Sequence, residues 1–130
     1  MNFRGISYYL HLSCYPVFIL SFFNILYSSY FDHYLNLDSY LFTLVISVIF
    51  ALIFYFISKD AEKNIKFYEQ LLLIFFVYFF ISLLISIPYY FSYYKLTFVD
   101  SFFEAVSGLT TTGFTIFTNV KLLDPTLLIW

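Results

Sequence analysis

Between Thr97 and Thr115 the chain reads TFVDSFFEAVSGLTTTGFT, and Thr110, Thr111, Thr112 and Gly113 are the residues whose types and spacing can do chemistry. That chemistry is coordination of a cation, with no covalent change. Threonine is stiff at its first side-chain torsion and glycine lifts the backbone restriction, so the run can hold successive carbonyl oxygens in one direction. Oxygens held that way replace the water shell of a small cation. Nothing in the run suits an anion.

The residues before this run must position it. Phe98, Phe102, Ala105 and Leu109 fall on one helical stripe, and Asp100, Glu104 and Ser107 on another, at three- and four-residue spacing. The pattern predicts a helix with the apolar side packed and the polar side toward water. Thr97 stands as its N-cap with Asp100 three residues on, and Gly108 is expected to end it in a left-handed conformation. About eleven residues at ~1.5 Å each reach ~17 Å, roughly half the hydrocarbon thickness of a bilayer. A half-helix of this kind dips into a membrane and hands its chain to a non-helical return, which survives at depth only inside protein or along a water-filled path. The negative pole of the helix would face the same spot, a modest further attraction for a cation.

Composition places the whole chain in a membrane. Of 130 residues, 62% are hydrophobic and 11% charged, with a mean hydropathy of +0.87, far from the balance of soluble domains. Three stretches are long enough to span: 6–31, 40–57 and 70–91. Pro16 should kink the first locally, and Pro88 lies near the end of the third, followed by Tyr89, Tyr90, Tyr93 and Tyr94 at headgroup depth. The segment FDHYLNLDSY between the first two spans has no Lys or Arg, whereas KDAEKNIKFYE carries Lys59, Lys63 and Lys66. The positive-inside rule puts the second loop, and the N-terminus with Arg4, in the cytoplasm. The short helix then enters from the outer face.

The segment SFFEAVSGLTTTGFT resembles the first pore loop of the TrkH family, the membrane subunits of bacterial Trk potassium uptake systems within the Trk/Ktr/HKT superfamily. The likeness extends downstream through Leu122, Leu123, Asp124 and Pro125 to LLIW, which resembles the entry into the family's next membrane helix. It extends upstream to the order of the three spans. The resemblance implies an all-α membrane protein, three transmembrane helices plus a re-entrant pore helix and filter loop. The family's potassium-coordinating carbonyls would fall on Thr111 and Thr112, with Thr110 and the filter glycine Gly113 beside them. It further implies a bacterial cytoplasmic membrane, homodimerisation and a cytosolic nucleotide-binding regulatory subunit of the TrkA type.

The family builds its filter from four loops, and this chain carries a single one. The expectation is therefore an N-terminal fragment, with two helices and a cytoplasmic loop over 1–66 and a first pore repeat over 67–130. A fragment of this kind would be inactive without the remaining repeats. A homotetrameric cation channel and a non-pore membrane adaptor stand as alternatives.

No nucleophile, base or cofactor-binding loop points to an enzyme, and no cofactor is expected. His11 and His33 lie on different segments with no Cys or carboxylate at metal-ligand spacing. The net charge of -2 gives no reason for nucleic-acid binding. Arg4 ahead of an apolar run could open a secretory peptide, but the run is long and broken by His11 and Pro16, so an uncleaved anchor is the simpler reading. Cys14 is followed by bulky Tyr15 and Pro16, unlike a lipid-attachment box. Asn24 is expected to bond to a neighbouring helix. Asp60, Glu62 and the loop lysines read as a solvated segment. Asp100 and Glu104 are expected to cap the short helix and brace the turn behind it, with cation holding at the mouth as the other option.

Overall fold

The computed structural model describes residues 3–59, 61 and 64–130. These form helices α1 (Phe3–Tyr30), α2 (Leu37–Ile57), α3 (Phe67–Phe91), α4 (Phe98–Leu109) and α5 (Pro125–Ile129), with one 3-10 turn at Val120–Leu122. There is no strand among the described residues. The first three helices are long and apolar enough to cross a membrane. Their ends fall within three residues of the expected spans, and α1 runs through Pro16 without a break in its helical assignment. Asp60, Glu62 and Lys63 lie outside the described residues, while Lys59 and Lys66 are exposed.

Packing is inverted relative to a water-soluble bundle. Ser21 and Ser28 of α1, Thr43 and Ser47 of α2, and Ser82 and Ser86 of α3 are buried, while Phe23, Phe56, Phe67 and Phe75 are 61% to 74% exposed. Helices in hydrocarbon gain nothing by hiding phenylalanine from lipid, and small side chains let their backbones approach closely. Most of the buried hydroxyls bond within their own helix. Ser21 Oγ donates to the Val17 carbonyl at 2.9 Å, Thr43 Oγ1 to Ser39 at 2.7 Å and Ser86 Oγ to Leu83 at 2.8 Å. An apolar cluster of Cys14, Val17, Ile81 and Leu84 joins α1 to α3, with Leu109 of α4 and Trp130 packed against it.

Asn24 departs from expectation. It is fully buried, yet neither atom of its amide finds a partner among the described residues. The hydroxyls on its own helical face are already committed, Ser21 to Val17 and Ser28 to the His33 carbonyl.

The short helix turns back along α3. Phe98 meets Tyr90 with ring centroids 6.4 Å apart, Phe102 meets Phe79 at 6.3 Å, and Leu109 shares a cleft with Leu73, Val77 and Tyr78. Val77 lies about 21 Å from Phe91 along α3 at ~1.5 Å per residue, so α4 ends near the middle of the span. From there the chain returns to the Tyr94 end, where α5 starts. The Asn36 side chain joins the two turns at that end, its Oδ1 accepting from the Tyr93 N–H at 3.0 Å.

The apolar stripe of α4 packs as expected, with Ala105 fully buried, Phe102 on Phe79 and Leu109 against the core cluster, but the polar stripe does not face water. Ser101, Glu104, Ala105 and Ser107 are buried, whereas Phe98, Val99 and Phe103 are exposed. The polar stripe turns inward because the chain beyond the helix folds back onto it and needs its hydrogen-bonding groups.

The inverted core carries a stability consequence. Ser21→Leu adds bulk at a fully buried position and should destabilise the chain by about 1–3 kcal/mol, whereas Phe23→Leu on the exposed face should stay within ~0.5 kcal/mol. Thermal unfolding in detergent checks both, and equal effects would contradict the packing described.

Candidate functional site

The N-terminus of α4 forms as expected. Thr97 Oγ1 accepts from the Asp100 N–H at 3.2 Å and donates to Asp100 Oδ2 at 2.7 Å, so Asp100 is engaged in the cap. The C-terminus does not. Gly108 is an interior residue of α4, the helix runs on to Leu109, and the left-handed residue is Thr111, with φ 56°. The Thr112 N–H reaches the Ser107 carbonyl at 3.0 Å and the Thr111 N–H reaches Gly108 at 3.1 Å, the double closure of a Schellman motif.

Threonine hydroxyls make this ending possible. Thr110 Oγ1 donates to the Val106 carbonyl at 2.7 Å and lies 2.7 Å from Thr112 Oγ1, clasping the bend from both sides of Thr111. A β-branched residue at positive φ costs about 1–2 kcal/mol, and such strain concentrates where a backbone shape matters. Gly113 follows with φ +77°, and a Cβ built there meets no atom within 4 Å. In this chain the case for glycine is therefore conformational and not one of space.

Beyond the bend, side chains of α4 hold the return limb. Ser107 Oγ donates to the Phe114 carbonyl at 2.6 Å, and Glu104 Oε1 accepts from Thr115 Oγ1 at 2.7 Å and from the Ile116 N–H. Glu104 is only 8% exposed. A carboxylate accepting two donors in a low-dielectric surround makes strong, charge-assisted bonds. Both acidic residues of α4 thus serve the local fold, in agreement with the capping and bracing roles expected for them.

Thr110, Thr111, Thr112 and Gly113 come together at the tip of this turn, and all four are exposed. Among the described residues no hydrogen bond is made to their carbonyl oxygens. The next carbonyl, that of Phe114, is the one Ser107 engages. Four successive acceptors are left open, and they sit at the C-terminal pole of α4. Among the described residues no three His, Cys, Asp or Glu side chains gather into a metal-binding group.

A second set of polar contacts fixes where the returning chain enters α5. The Asp124 N–H donates to the Tyr94 hydroxyl at 2.7 Å, and Asp124 Oδ1 accepts from the Thr126 N–H at 2.8 Å and from Thr126 Oγ1 at 2.6 Å. Tyr40 of α2 donates to Thr126 Oγ1 at 3.0 Å, and Trp130 Nε1 donates to the Ile85 carbonyl at 2.9 Å. Asp124 before Pro125 is a legible N-cap signal. The partners Tyr40 and Tyr94 are far away in sequence and carry no local mark.

The chain is similar to a protein of Methanocaldococcus jannaschii called an uncharacterized cation transporter, with 32% identity over 99 residues, covering 75% of this chain and 21% of that protein. It spans about a fifth of the length of the curated relative it matches. No family model matches the chain, and no solved structure does.

Two substitutions separate bracing from strain. Glu104→Ala removes the buried acceptor of the Thr115 hydroxyl and the Ile116 N–H and should cost about 1–3 kcal/mol, with faster hydrogen exchange at the Ile116 amide. Thr111→Gly removes the left-handed penalty and should leave stability unchanged or raise it by up to ~1 kcal/mol. A large loss for Thr111→Gly in the same unfolding measurement would mean that its side chain, and not its backbone shape, is what the turn requires.

Proposed function

We propose that this chain forms part of a potassium transporter of the Trk type, in which α4 is a re-entrant pore helix and Thr110 to Gly113 one strand of the selectivity filter. The observation that carries this reading is the run of four exposed, unbonded carbonyls at a strained bend, reached by a helix too short to span and braced from behind. Similarity to a protein called a cation transporter supports it. So does the resemblance of SFFEAVSGLTTTGFT to the pore loop of the TrkH family.

In this reading Thr111 and Thr112 supply the coordinating carbonyls, with Thr110 and Gly113 beside them. A potassium ion sheds water and is held by carbonyl dipoles from several loops around one axis, tightly enough to enter and weakly enough to leave. Transport needs no covalent step. Residues 67–130 form one pore repeat, and the other repeats complete the ring. The lysine-bearing loop and the N-terminus face the cytoplasm of a bacterial cell, where a nucleotide-binding ring of the TrkA type would dock on a dimer of the assembled protein.

Topology follows from the lysines. A reporter fused after Lys66 should be cytoplasmic and one fused at Asn36 external, and the reverse pattern would overturn the orientation. Selectivity follows from Gly113. In the assembled transporter Gly113→Ser puts a side chain on a left-handed residue beside the ion, displacing carbonyls matched to dehydrated potassium. Potassium affinity should fall about tenfold or more, by analogy with ~1.4 kcal/mol of lost coordination, with weaker discrimination against sodium. Uptake of both ions measured at matched protein abundance tests this, and wild-type affinity and selectivity would sink the filter assignment.

A further inference from the structure

A cleft of about 370 Å³ opens between α1 and α2, and none of Thr110 to Gly113 lines it. One end is polar and aromatic, with His11, Tyr15 and Tyr55; the other is apolar, with Phe18, Val48 and Leu52. Tyr55 is two residues from the end of α2, whereas Ser47, also in the wall, is eight residues deeper, about 12 Å at ~1.5 Å per residue. The polar end therefore sits close to the membrane surface and the apolar end points toward mid-membrane.

Among the buried polar side chains of the wall, Cys14, Ser47 and His11, one atom stays open, while the hydroxyls of Tyr15 and Tyr55 belong to exposed residues. Cys14 Sγ is directed to the Leu10 carbonyl and Ser47 Oγ donates to Leu44, so neither is free. His11 is 6% exposed, and its Nδ1 lies 2.6 Å from the Tyr8 carbonyl. A carbonyl can only accept, so the ring proton is on Nδ1 and the Nε2 lone pair is left as an acceptor. No hydrogen bond to Nε2 occurs among the described residues, and the ring lines the cleft. Three tyrosine rings surround the imidazole, Tyr8 at 5.4 Å, Tyr15 at 5.6 Å and Tyr55 at 5.8 Å between centroids. Aromatic rings and an imidazole acceptor together suit a cation that carries an N–H donor. Arg4 and Lys59, both exposed, lie at the same end of the two helices and suit a phosphate.

We propose that this cleft is a lipid site, holding one acyl chain of phosphatidylethanolamine along its apolar length with the ammonium donating to His11 Nε2. The site requires that α1 and α2 span the membrane and is independent of the ion-binding reading of the turn. Apolar contact alone gives no preference among lipids, because hydrocarbon surrounds the helices everywhere. Preference must come from the N–H donor.

The test is lipid binding to the purified 130-residue chain in detergent, read by native mass spectrometry. Phosphatidylethanolamine, its mono- and dimethyl derivatives and phosphatidylcholine are compared with matched acyl chains. The first three retain an N–H and phosphatidylcholine does not, so affinity should drop about tenfold at the third methyl. A smooth change along the series, or none, overturns the proposal. His11→Phe should bring phosphatidylethanolamine down to the phosphatidylcholine level, and Ala51→Trp, which fills the wall of the cleft, should weaken both. Retention of the ethanolamine preference in His11→Phe would equally overturn it. The wild-type methylation series decides the matter even if a variant fails to fold.

Discussion

A backbone surrounded by hydrocarbon must satisfy its own polar groups, and both the three spans and the turn after α4 answer to that requirement. Three spans meet it by staying helical from end to end. Between Leu109 and Val120 the chain leaves the helix near the middle of α3, and there its partners have to come from elsewhere. Ser107 and Glu104 supply them from the preceding helix, one engaging a carbonyl and the other an N–H and a hydroxyl. The carbonyls of Thr110 to Gly113 are the groups left over. A fold that braces the residues on one side of a bend while leaving four acceptors open on the other has the form of a site for something that brings positive charge.

The same requirement explains how the turn is held in place. Most buried serines and threonines of the three spans bond to their own helices and present little bulk, so α1, α2 and α3 approach one another while Phe23, Phe56, Phe67 and Phe75 face outward. The α1–α2 pair then reaches the far end of the loop through Tyr40 and Thr126, while Asn36 ties the two surface turns together. The loop is thus fixed at both limbs, by α4 behind its tip and by α2 and Tyr94 where it enters α5.

Much of this was legible in the residues themselves. Spans of apolar sequence, Thr97 followed by Asp100, and Asp124 before Pro125 are local signals, and local hydrogen bonding forms as they indicate. Gly108 misled because glycine is the usual left-handed ending, while here two threonine hydroxyls, those of Thr110 and Thr112, and backbone closure place Thr111 in that conformation. The polar stripe of α4 misled for a different reason. Periodicity reports that Glu104 and Ser107 share a face, but only the returning chain decides that the face is buried. Asn24 and the Tyr40–Thr126 contact depend on how helices distant in sequence meet, which no local pattern encodes.

The central claim is that an ion is held by backbone oxygens of Thr111 and Thr112, and thallium in place of potassium makes such an ion visible by its anomalous scattering. In crystals of the assembled transporter grown with thallium, the account predicts a peak at coordination distance from the Thr111 and Thr112 carbonyls. A peak on the carboxylates of Asp100 or Glu104, or no peak at the turn in a transporter that carries thallium, would contradict it.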